Sequence, residues 1–306
     1  MKIAMMTNNY KPFIAGVPIS IERLSEGLRE AGHEVVVFAP EYKEQAEEQN
    51  IVRYRSLIKG IINGVSVPDS MDRKIEKEFK EGNFDLIHVH HPMLIGKTAL
   101  HLSQKYNVPL CFTYHTRYEQ YLHYIKAPFL AGIMPRYVNN YMSQCDMVFA
   151  PTPMMQEYLE DIGKSAPCVV LPTGLKEESF EPDEEEAGKL REKLISGKKF
   201  LFCTVARLAK EKNFDFLFRA LSIRKQEQGS DFRLVIVGDG PYKPQLLKLA
   251  EELDIREEIF FAGKVSNDQV KNYCKAADLF LFASQSETQG IVLLGAMAAG
   301  TPVLAV

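Results

Sequence analysis

The stretch Phe200-Leu-Phe-Cys-Thr-Val-Ala-Arg-Leu-Ala-Lys-Glu-Lys-Asn-Phe214 passes from an apolar run through a basic loop into a helical pattern. A continuous apolar run of this length predicts a strand buried in a parallel sheet, because helices cover both faces of such a sheet. Arg207 and Lys212 lie in the loop, at the carboxyl end of the predicted strand. Ligands of open α/β sheets bind at this edge, so the stretch predicts both a fold class and the place of a site.

The alternation of short apolar runs with longer amphipathic stretches extends over the whole chain and predicts βα units that build parallel sheets. The strand-like runs of the first half are Ile3 to Met6, Glu34 to Phe38, Leu86 to Val89, Pro109 to Thr113 and Met147 to Ala150. Those of the second half are Phe200 to Val205, Arg233 to Val237, Ile259 to Ala262, Leu279 to Ala283 and Val303 to Val306. The predicted fold class is α/β with two Rossmann-like domains, residues 1–172 and 173–306, whose strand ends would face each other across a cleft.

Composition limits the class of protein. The 306 residues suffice for two α/β domains, and a hydrophobic content of 46% is ordinary for a globular protein. A formal net charge of -3 without a long block of like charge argues against a dedicated nucleic-acid binder. The N-terminal apolar run is too short for a secretory signal, and no run of 18 residues is apolar enough to span a bilayer, so we expect a cytoplasmic location.

Glycine-containing loops follow two of the predicted strands. Gly16 lies between the first strand and a helix whose free N–H groups attract negative charge. Gly238 and Gly240 follow the strand Arg233 to Val237, where glycine lets main chain approach a ribose or a base. A simple turn is the alternative for each loop, and the absence of Gly-x-Gly-x-x-Gly after any strand disfavours a dinucleotide-binding dehydrogenase.

Three histidines lie at the end of the run Leu86 to Val89 and just beyond it. Strand alternation places His88 and His90 on one face and His91 at the exposed end. A metal site lacks an identifiable third ligand, so core packing and hydrogen bonds along the cleft are favoured over a metal. His115 follows the next strand and can hydrogen-bond a sugar hydroxyl at the mouth of the cleft, with packing under the next aromatic run as the alternative.

Arg207 and Lys212 can converge where a diphosphate would lie. Two fixed cations can replace a metal ion, because they stabilise the charge that a nucleoside diphosphate gains as its bond to a sugar breaks. Glu287 lies in the polar loop after the strand Leu279 to Ala283, and the helix that starts near Gly290 can hold a phosphate. Neither a metal site nor a cofactor is predicted, and a solvated basic loop is the alternative interpretation.

Two stretches have the composition of a membrane-contacting surface. One holds tyrosines among basic residues, and the other mixes apolar residues with cations that would suit an anionic bilayer. The residues concerned are Arg117, Tyr118, Tyr121 and Tyr124 in the first stretch and Arg53, Arg55 and Lys59 in the second. Ordinary helix packing explains the tyrosines equally well, so both interpretations stay open.

In their order and spacing, these motifs resemble the group 1 family of retaining glycosyltransferases, which have the GT-B fold of two facing Rossmann-like domains. The most specific parts are Tyr10-x-Pro-x-x-x-Gly-Val, Ala206-Arg-Leu-x-x-Glu-Lys, Gly238-Asp-Gly-Pro, Glu287-Thr-Gln-Gly and Ala296-Met-Ala-Ala-Gly-Thr-Pro. The resemblance covers nearly the whole chain. Within the family, Tyr114-His-Thr-Arg-Tyr-Glu-Gln-Tyr-Leu-His-Tyr-Ile is similar to bacterial diacylglycerol glucosyltransferases.

The resemblance implies a retaining hexosyltransferase that uses a nucleotide sugar without a metal. Catalytic roles carry over to His115 near the transferred sugar, to Arg207 and Lys212 on the diphosphate, and to Glu287 on sugar hydroxyls. Donor-binding roles carry over to Gly16, Val17, Gly238, Gly240, Lys264, Val265, Thr288, Gln289, Gly290 and Ile291, of which Lys264 and Val265 would flank the uracil. The implied donor is UDP-glucose, and the implied acceptor is a lipid such as diacylglycerol at the anionic inner face of the cell membrane.

Two features depart from the family pattern. The family has a second glutamate eight positions after the first, and this chain has Gly295 there. The missing carboxylate would accept two hydroxyl hydrogen bonds, so donor binding is expected to be weaker by about 1–3 kcal/mol. The chain ends at Val306 where family members continue, so we expect an incomplete C-terminal domain.

These departures leave alternatives to lipid glucosylation. One is the same chemistry on a soluble or polysaccharide acceptor, and the other is a catalytically impaired binder of nucleotide sugars. The sequence predicts no oligomeric state.

Overall fold

The computed structural model describes residues 1–13, 15–43, 45, 49–62, 65–118, 132–163 and 166–306, with the backbone alone at 58–62, 65 and 66. The chain forms two compact units, unit 1 at Met1–Gly174 and unit 2 at Leu175–Val306. No helix in the described ranges combines the length and the apolar character that a bilayer span requires.

Unit 1 is built on a parallel sheet. Its strands are β1 Lys2–Met6, β2 Glu34–Pro40, β3 Ile51–Tyr54, β4 Ser56–Ile62, β5 Val65–Pro68, β6 Leu86–Val89, β7 Leu110–Thr113, β8 Met147–Ala150 and β9 Cys168–Val170. Its helices are α1 Gly16–Glu30, α2 Arg73–Gly82, α3 Ile95–Tyr106, α4 Met134–Met142 and α5 Pro153–Asp161. Seven strands pair in the order β3-β2-β1-β6-β7-β8-β9, whereas β4 and β5 form a separate antiparallel pair.

The first strand shows why the sheet of unit 1 is apolar on both faces. Ile3 and Met5 of β1 belong to a buried cluster with Ile21 of α1. Ala4 and Met6 point the other way into the larger cluster that includes the apolar faces of α2 and α3. Burial on both faces removes the need for polar alternation, so these strands appear as continuous apolar runs in the sequence.

Unit 2 repeats this architecture with fewer strands. Its strands are β10 Phe200–Val205, β11 Phe232–Val237, β12 Ile259–Gly263, β13 Leu279–Phe282 and β14 Val303–Ala305, paired in parallel in the order β12-β11-β10-β13-β14. Its α-helices are α6 Glu184–Ile195, α7 Phe214–Gln228, α8 Lys243–Glu252, α9 Asn267–Ala276 and α10 Ile291–Ala298. Along β11, Leu234 and Ile236 enter one buried cluster while Val235 and Val237 enter the other.

The predicted α/β class with parallel sheets is confirmed, and each of the ten predicted runs is a strand whose ends lie within two residues of the prediction. The segment Ile51–Tyr54, which holds Arg53 of the second stretch predicted to contact a membrane, was not predicted to be a strand, and it forms β3, which pairs with β2. The pair β4–β5 and the three-residue β9 were not predicted.

Each sheet has one point at which its strand order reverses. In unit 1 this point is β1, which lies between β2 and β6, and in unit 2 it is β10, which lies between β11 and β13. The loops that follow the two central strands at a reversal diverge to opposite faces and leave a crevice between them. The loops after β10 and β13, and those after β1 and β6, are therefore where a ligand site is expected.

Candidate functional site

In unit 2, the loop after β10 holds two cations, each paired with a carboxylate. Arg207 Nη2 donates to Glu211 Oε1 at 2.8 Å, one turn further along the loop. Lys212, in the 3₁₀ turn Lys210–Lys212, forms an ion pair with Glu287 from the loop after β13. The second pair joins the two loops of the reversal point, so the structure brings together two residues that lie far apart in the sequence.

Glu287 is held from two sides. Ser284 Oγ donates to Glu287 Oε1 at 2.7 Å, and Lys212 pairs with the same oxygen. Within the described part of the chain, Oε2 accepts no hydrogen bond, and the Glu287 side chain is 29% exposed. The carboxylate is thus fixed through one oxygen and presents the other to hydroxyl donors. Ser284 was not predicted as a site residue, and Glu211 was recognised only as part of the motif that contains Arg207.

The glycines after β11 approach protein backbone. A Cβ atom added to Gly238, whose φ is 135°, would overlap the carbonyl oxygen of Ala206 and lie 3.0 Å from its carbonyl carbon. A Cβ atom on Gly240 would overlap the carbonyl oxygen of Leu208 and lie 2.8 Å from its nitrogen. Both glycines therefore pack closely against the loop that carries Arg207.

Backbone hydrogen bonds connect three loops of unit 2. Leu208 N–H donates to Asp239 O at 3.1 Å, and Tyr242 N–H donates to Leu208 O at 3.1 Å. On the other side, Gly238 N–H donates to Gly263 O at 2.7 Å. The loop after β11 is thus bonded both to the loop after β10 and to the end of β12.

The other predicted donor-binding residues of unit 2 lie at the ends of β12 and β13. Lys264 is exposed, and Val265 is half-buried against the core. Gly290 has a φ of 70° and immediately precedes α10, which begins at Ile291. Thr288 and Gln289 are half-buried in the loop between Glu287 and Gly290.

Gly295, which replaces the second glutamate of the family pattern, lies within α10. A Cβ atom added there would meet no other atom within 4 Å. Space for a larger side chain is therefore present at this position.

In unit 1, His91 joins the loops that follow β1 and β6. Asn8 N–H donates to His91 Nδ1 at 3.2 Å, and Thr7 Oγ1 lies 3.3 Å from the same nitrogen. His91 is only 8% exposed. The expectation that His91 lies at an exposed strand end was wrong, because the loop after β1 packs over it.

Three further histidines of unit 1 form a stack. The ring centroids of His88 and His90 are 4.4 Å apart, which confirms that they share one face. His88 Nε2 lies 2.7 Å from Thr113 Oγ1, and His90 Nδ1 lies 2.9 Å from His115 Nε2. The described residues contain no group of three or more His, Cys, Asp or Glu placed to hold a metal ion.

Burial keeps these imidazoles neutral near pH 7. Desolvation lowers the pKa of His88 and of His91 to about 4. Desolvation and the neighbouring histidines lower the pKa of His115 to about 3, and the same causes lower the pKa of His90 well below its usual value. Between His90 and His115 one neutral ring therefore donates and the other accepts.

The N-terminus of α1 is open in unit 1. Gly16 begins the helix, is exposed, and a Cβ atom there would meet nothing within 4 Å. The preceding Ala15 gives the helix no side-chain cap, so its first N–H groups are available to an anion. Val17 packs against the cluster that contains Ile21.

Two of the cations predicted for a membrane surface, Arg53 and Arg55, have protein partners. Arg53 donates to Pro40 O at 3.1 Å and to Lys11 O at 2.9 Å, so its charge supports two loops of unit 1. Arg55 forms an ion pair with Asp69, although its side chain is 67% exposed. The Lys59 side chain lies outside the described atoms.

The tyrosine stretch is only partly described. Tyr118 is buried against Tyr114 with an edge-to-face ring contact at 6.1 Å, so its predicted surface position is corrected to a core position. The Arg117 guanidinium lies over the Tyr158 ring at 4.9 Å. Tyr121 and Tyr124 lie outside the described residues.

Comparisons with known proteins identify the family of the chain. Residues 14–179 match the Glycosyltransferase Family 4 model, and residues 186–306 match that of Glycosyl transferases group 1. The alpha-monoglucosyldiacylglycerol synthase of Streptococcus pneumoniae is 32% identical over 314 residues, which cover 100% of this chain and 71% of that protein. The protein of the same name from Acholeplasma laidlawii is 31% identical over 319 residues, with 99% and 80% covered.

Solved structures show the same fold at low sequence identity. The sucrose-phosphate synthase of Thermosynechococcus elongatus matches with a TM-score of 0.80 and 20% identity, over 99% of this chain and 80% of that one. Anabaena HepE, solved in complex with UDP and glucose, matches with a TM-score of 0.78 and 18% identity, over 100% and 80%. The two α/β units, each with a parallel sheet, and the match to these solved structures define a glycosyltransferase with the GT-B fold. The chain belongs to the group 1 glycosyltransferase family, with a Glycosyltransferase Family 4 domain in its N-terminal half.

Proposed function

We propose that this glycosyltransferase transfers glucose from UDP-glucose, with retention of configuration, to diacylglycerol or a similar lipid. The observation that carries the proposal is the identity of 31–32% with two proteins named alpha-monoglucosyldiacylglycerol synthase, which extends over at least 99% of the chain. The geometry of unit 2 supports the donor half of this assignment.

The proposed diphosphate site is formed by Arg207 and Lys212. Glu211 and Glu287 hold the two cations in place before any ligand arrives. Preorganised cations stabilise the charge that develops on the leaving UDP more than they stabilise the bound donor, which accelerates the transfer. Two fixed cations perform this role in the proposed reaction, which requires neither a metal ion nor a cofactor.

Glu287 is assigned to the hydroxyls of the transferred sugar. Its Oε1 is bonded to Lys212 and Ser284, so Oε2 is directed to the ligand by contacts that are already made. The shared Lys212 would connect the sugar hydroxyls to the diphosphate in one hydrogen-bonded arrangement. Main chain from Thr288 to Ile291 is assigned to the same part of the donor.

The remaining donor contacts are assigned to loops of both units. Lys264 and Val265 would flank the uracil, because they immediately follow β12 beside the loop that contacts Leu208, the neighbour of Arg207. Gly16, at the open N-terminus of α1, would lie near the phosphates. His115 would donate or accept one hydrogen bond with the sugar as a neutral imidazole.

We assign the acceptor to a membrane surface on the cytoplasmic side. Both relatives are named for a glycolipid product. Unit 1 exposes large apolar side chains near its antiparallel strand pair, including Leu57 at 63% and Met71 at 86%, and the exposed Arg55 lies nearby in sequence. Apolar residues beside cations are suited to the interface of an anionic bilayer.

The donor site is tested by isothermal titration of UDP and UDP-glucose without added metal. Arg207→Ala should weaken UDP binding by at least about tenfold, because a charge-assisted contact to phosphate is lost. Arg219→Ala is the matched control, since Arg219 is an exposed arginine of α7. Equal affinity in both variants would remove Arg207 from the site, and a folded wild-type chain that binds neither ligand would support an impaired binder instead.

The acceptor is tested with vesicles that contain diacylglycerol. Labelled glucose should enter a lipid product faster with anionic than with neutral vesicles, and proton NMR of the product should show the anomeric configuration of the donor. Transfer to a soluble acceptor that does not depend on vesicles would overturn the lipid assignment, and an inverted product would overturn retention.

A further inference from the structure

Gly240 is a glycine whose presence the backbone conformation does not explain. Its φ lies outside the positive region that residues with a side chain avoid, whereas Gly238 has a φ of 135°. What Gly240 requires is space, because any Cβ atom there would overlap the main chain of Leu208. The contact partner directly follows Arg207.

The main chain of Leu208 is held on both sides by the same neighbouring loop. Its N–H is bonded to Asp239 O and its carbonyl oxygen to Tyr242 N–H, each at 3.1 Å. Gly240 lies between these two residues in the sequence, so it occupies the centre of the contact. Two hydrogen bonds and one close packing contact therefore fix the backbone position next to Arg207.

The same loop is also tied to the segment assigned to the base. Gly238 N–H donates to Gly263 O at 2.7 Å, and Gly263 immediately precedes Lys264. The distance between the Arg207 backbone and the Lys264 backbone is thus set by a chain of contacts through Gly238 and Gly240. A donor whose diphosphate and base are joined covalently requires this distance to be fixed.

We infer that Gly238 and Gly240 are positioning residues, which set the diphosphate-binding loop against the base-binding segment through backbone contact alone. The inference rests on the proposed function for the ligand it names. It assigns both glycines a role that requires no contact with the donor. Gly240 is the sharper case, because a substitution there adds steric overlap without forcing a disfavoured φ.

The test compares Gly240→Ala with Gly188→Ala. Gly188 is an exposed residue of α6 in the same unit, where an added Cβ atom meets nothing within 4 Å. By titration calorimetry, Gly240→Ala should weaken UDP binding at least about tenfold among folded molecules, and Gly188→Ala should leave it unchanged. Unchanged affinity in a folded Gly240→Ala chain would overturn the inference.

A double-mutant cycle separates positioning from general destabilisation. If Gly240 acts through Arg207, Gly240→Ala should have little further effect on UDP affinity in an Arg207→Ala background. Additive losses in the double variant would indicate that the glycine acts by another route and would overturn the inference.

Amide exchange in the wild-type chain tests the contact without any variant or ligand. The amides of Leu208, Gly238 and Tyr242 should exchange with one common opening free energy, since the three loops would open together. Clearly different opening free energies would overturn the inference even if UDP binds. If the three amides share one opening free energy in a chain that fails to bind UDP, the loop contact stands and only the proposed function is refuted.

Discussion

Acidification from pH 8 to pH 5.5 is expected to destabilise unit 1 selectively, because all seven histidines of the chain precede residue 124 and unit 2 has none. The pKa of His88 and of His91 is about 4 in the folded chain, below the ordinary value near 6.5. Between these values the unfolded chain binds protons that the folded chain excludes, so stability present above pH 6.5 is lost as the pH falls toward 4.

The size of the loss in the free energy of unfolding follows from the pKa of each histidine in the folded and in the unfolded chain. At pH 5.5 each of the two histidines lowers the free energy of unfolding by about 1.4 kcal/mol, and together they lower it by about 3 kcal/mol. The lowered pKa values of His90 and His115 act in the same direction. Since a typical domain has about 5–15 kcal/mol of stability, the loss is readily measured.

Hydrogen exchange followed by mass spectrometry, corrected for the intrinsic effect of pH, measures each unit separately. Peptides that cover β6 and β7 should lose at least about 3 kcal/mol of opening free energy, while peptides that cover β10 and β11 should keep theirs. His88→Gln should make the loss in unit 1 smaller by about 1.4 kcal/mol. An equal loss in both units, or histidine pKa values near 6.5 by NMR, would refute the reasoning.

Three substitutions test other parts of the structure. Gly295→Glu adds a carboxylate where space is open, and UDP should bind about tenfold more tightly by titration calorimetry. Tyr54→Phe removes the hydroxyl that donates to Thr7 O at 2.8 Å in the buried core, and urea unfolding should show a loss of about 1–3 kcal/mol. Gly290→Ala places a Cβ atom at a φ of 70° and 3.1 Å from Leu293 Cδ1, so thermal unfolding should show a loss of about 1–2 kcal/mol. If one of these measurements shows no change, that result contradicts the surroundings described for the substituted residue.

The sheets were predictable because burial on both faces leaves a local signal. Strands such as β10 and β11 are apolar at every position or nearly so, and the loops at their ends contain the charged and glycine residues. β3 was missed because Arg53 interrupts its apolar pattern, and only the structure shows that Arg53 donates hydrogen bonds to backbone carbonyl groups within unit 1.

The candidate site was predictable in its residue types and less so in its contacts. Arg207 and Lys212 are recognisable from their loop, but the pairing of Lys212 with Glu287 depends on how two loops pack, which no local pattern encodes. His91 and Tyr118 were expected at the surface because each follows a strand or begins a polar stretch. His91 is buried by the loop after β1, which is distant in sequence, so its exposure could not be predicted from its neighbours, whereas Tyr118 packs against the nearby Tyr114.

The hydrogen bonds between Leu208 and the loop after β11 use main-chain atoms only. A contact of this kind tolerates changes of side chain but not an inserted or deleted residue, because one extra residue would move a donor away from its acceptor. Loop grafting between related enzymes is therefore expected to succeed when the segments after β10 and β11 are exchanged as a pair. Exchanging one of them alone, between relatives with loops of different length, should give chimeras that fold poorly.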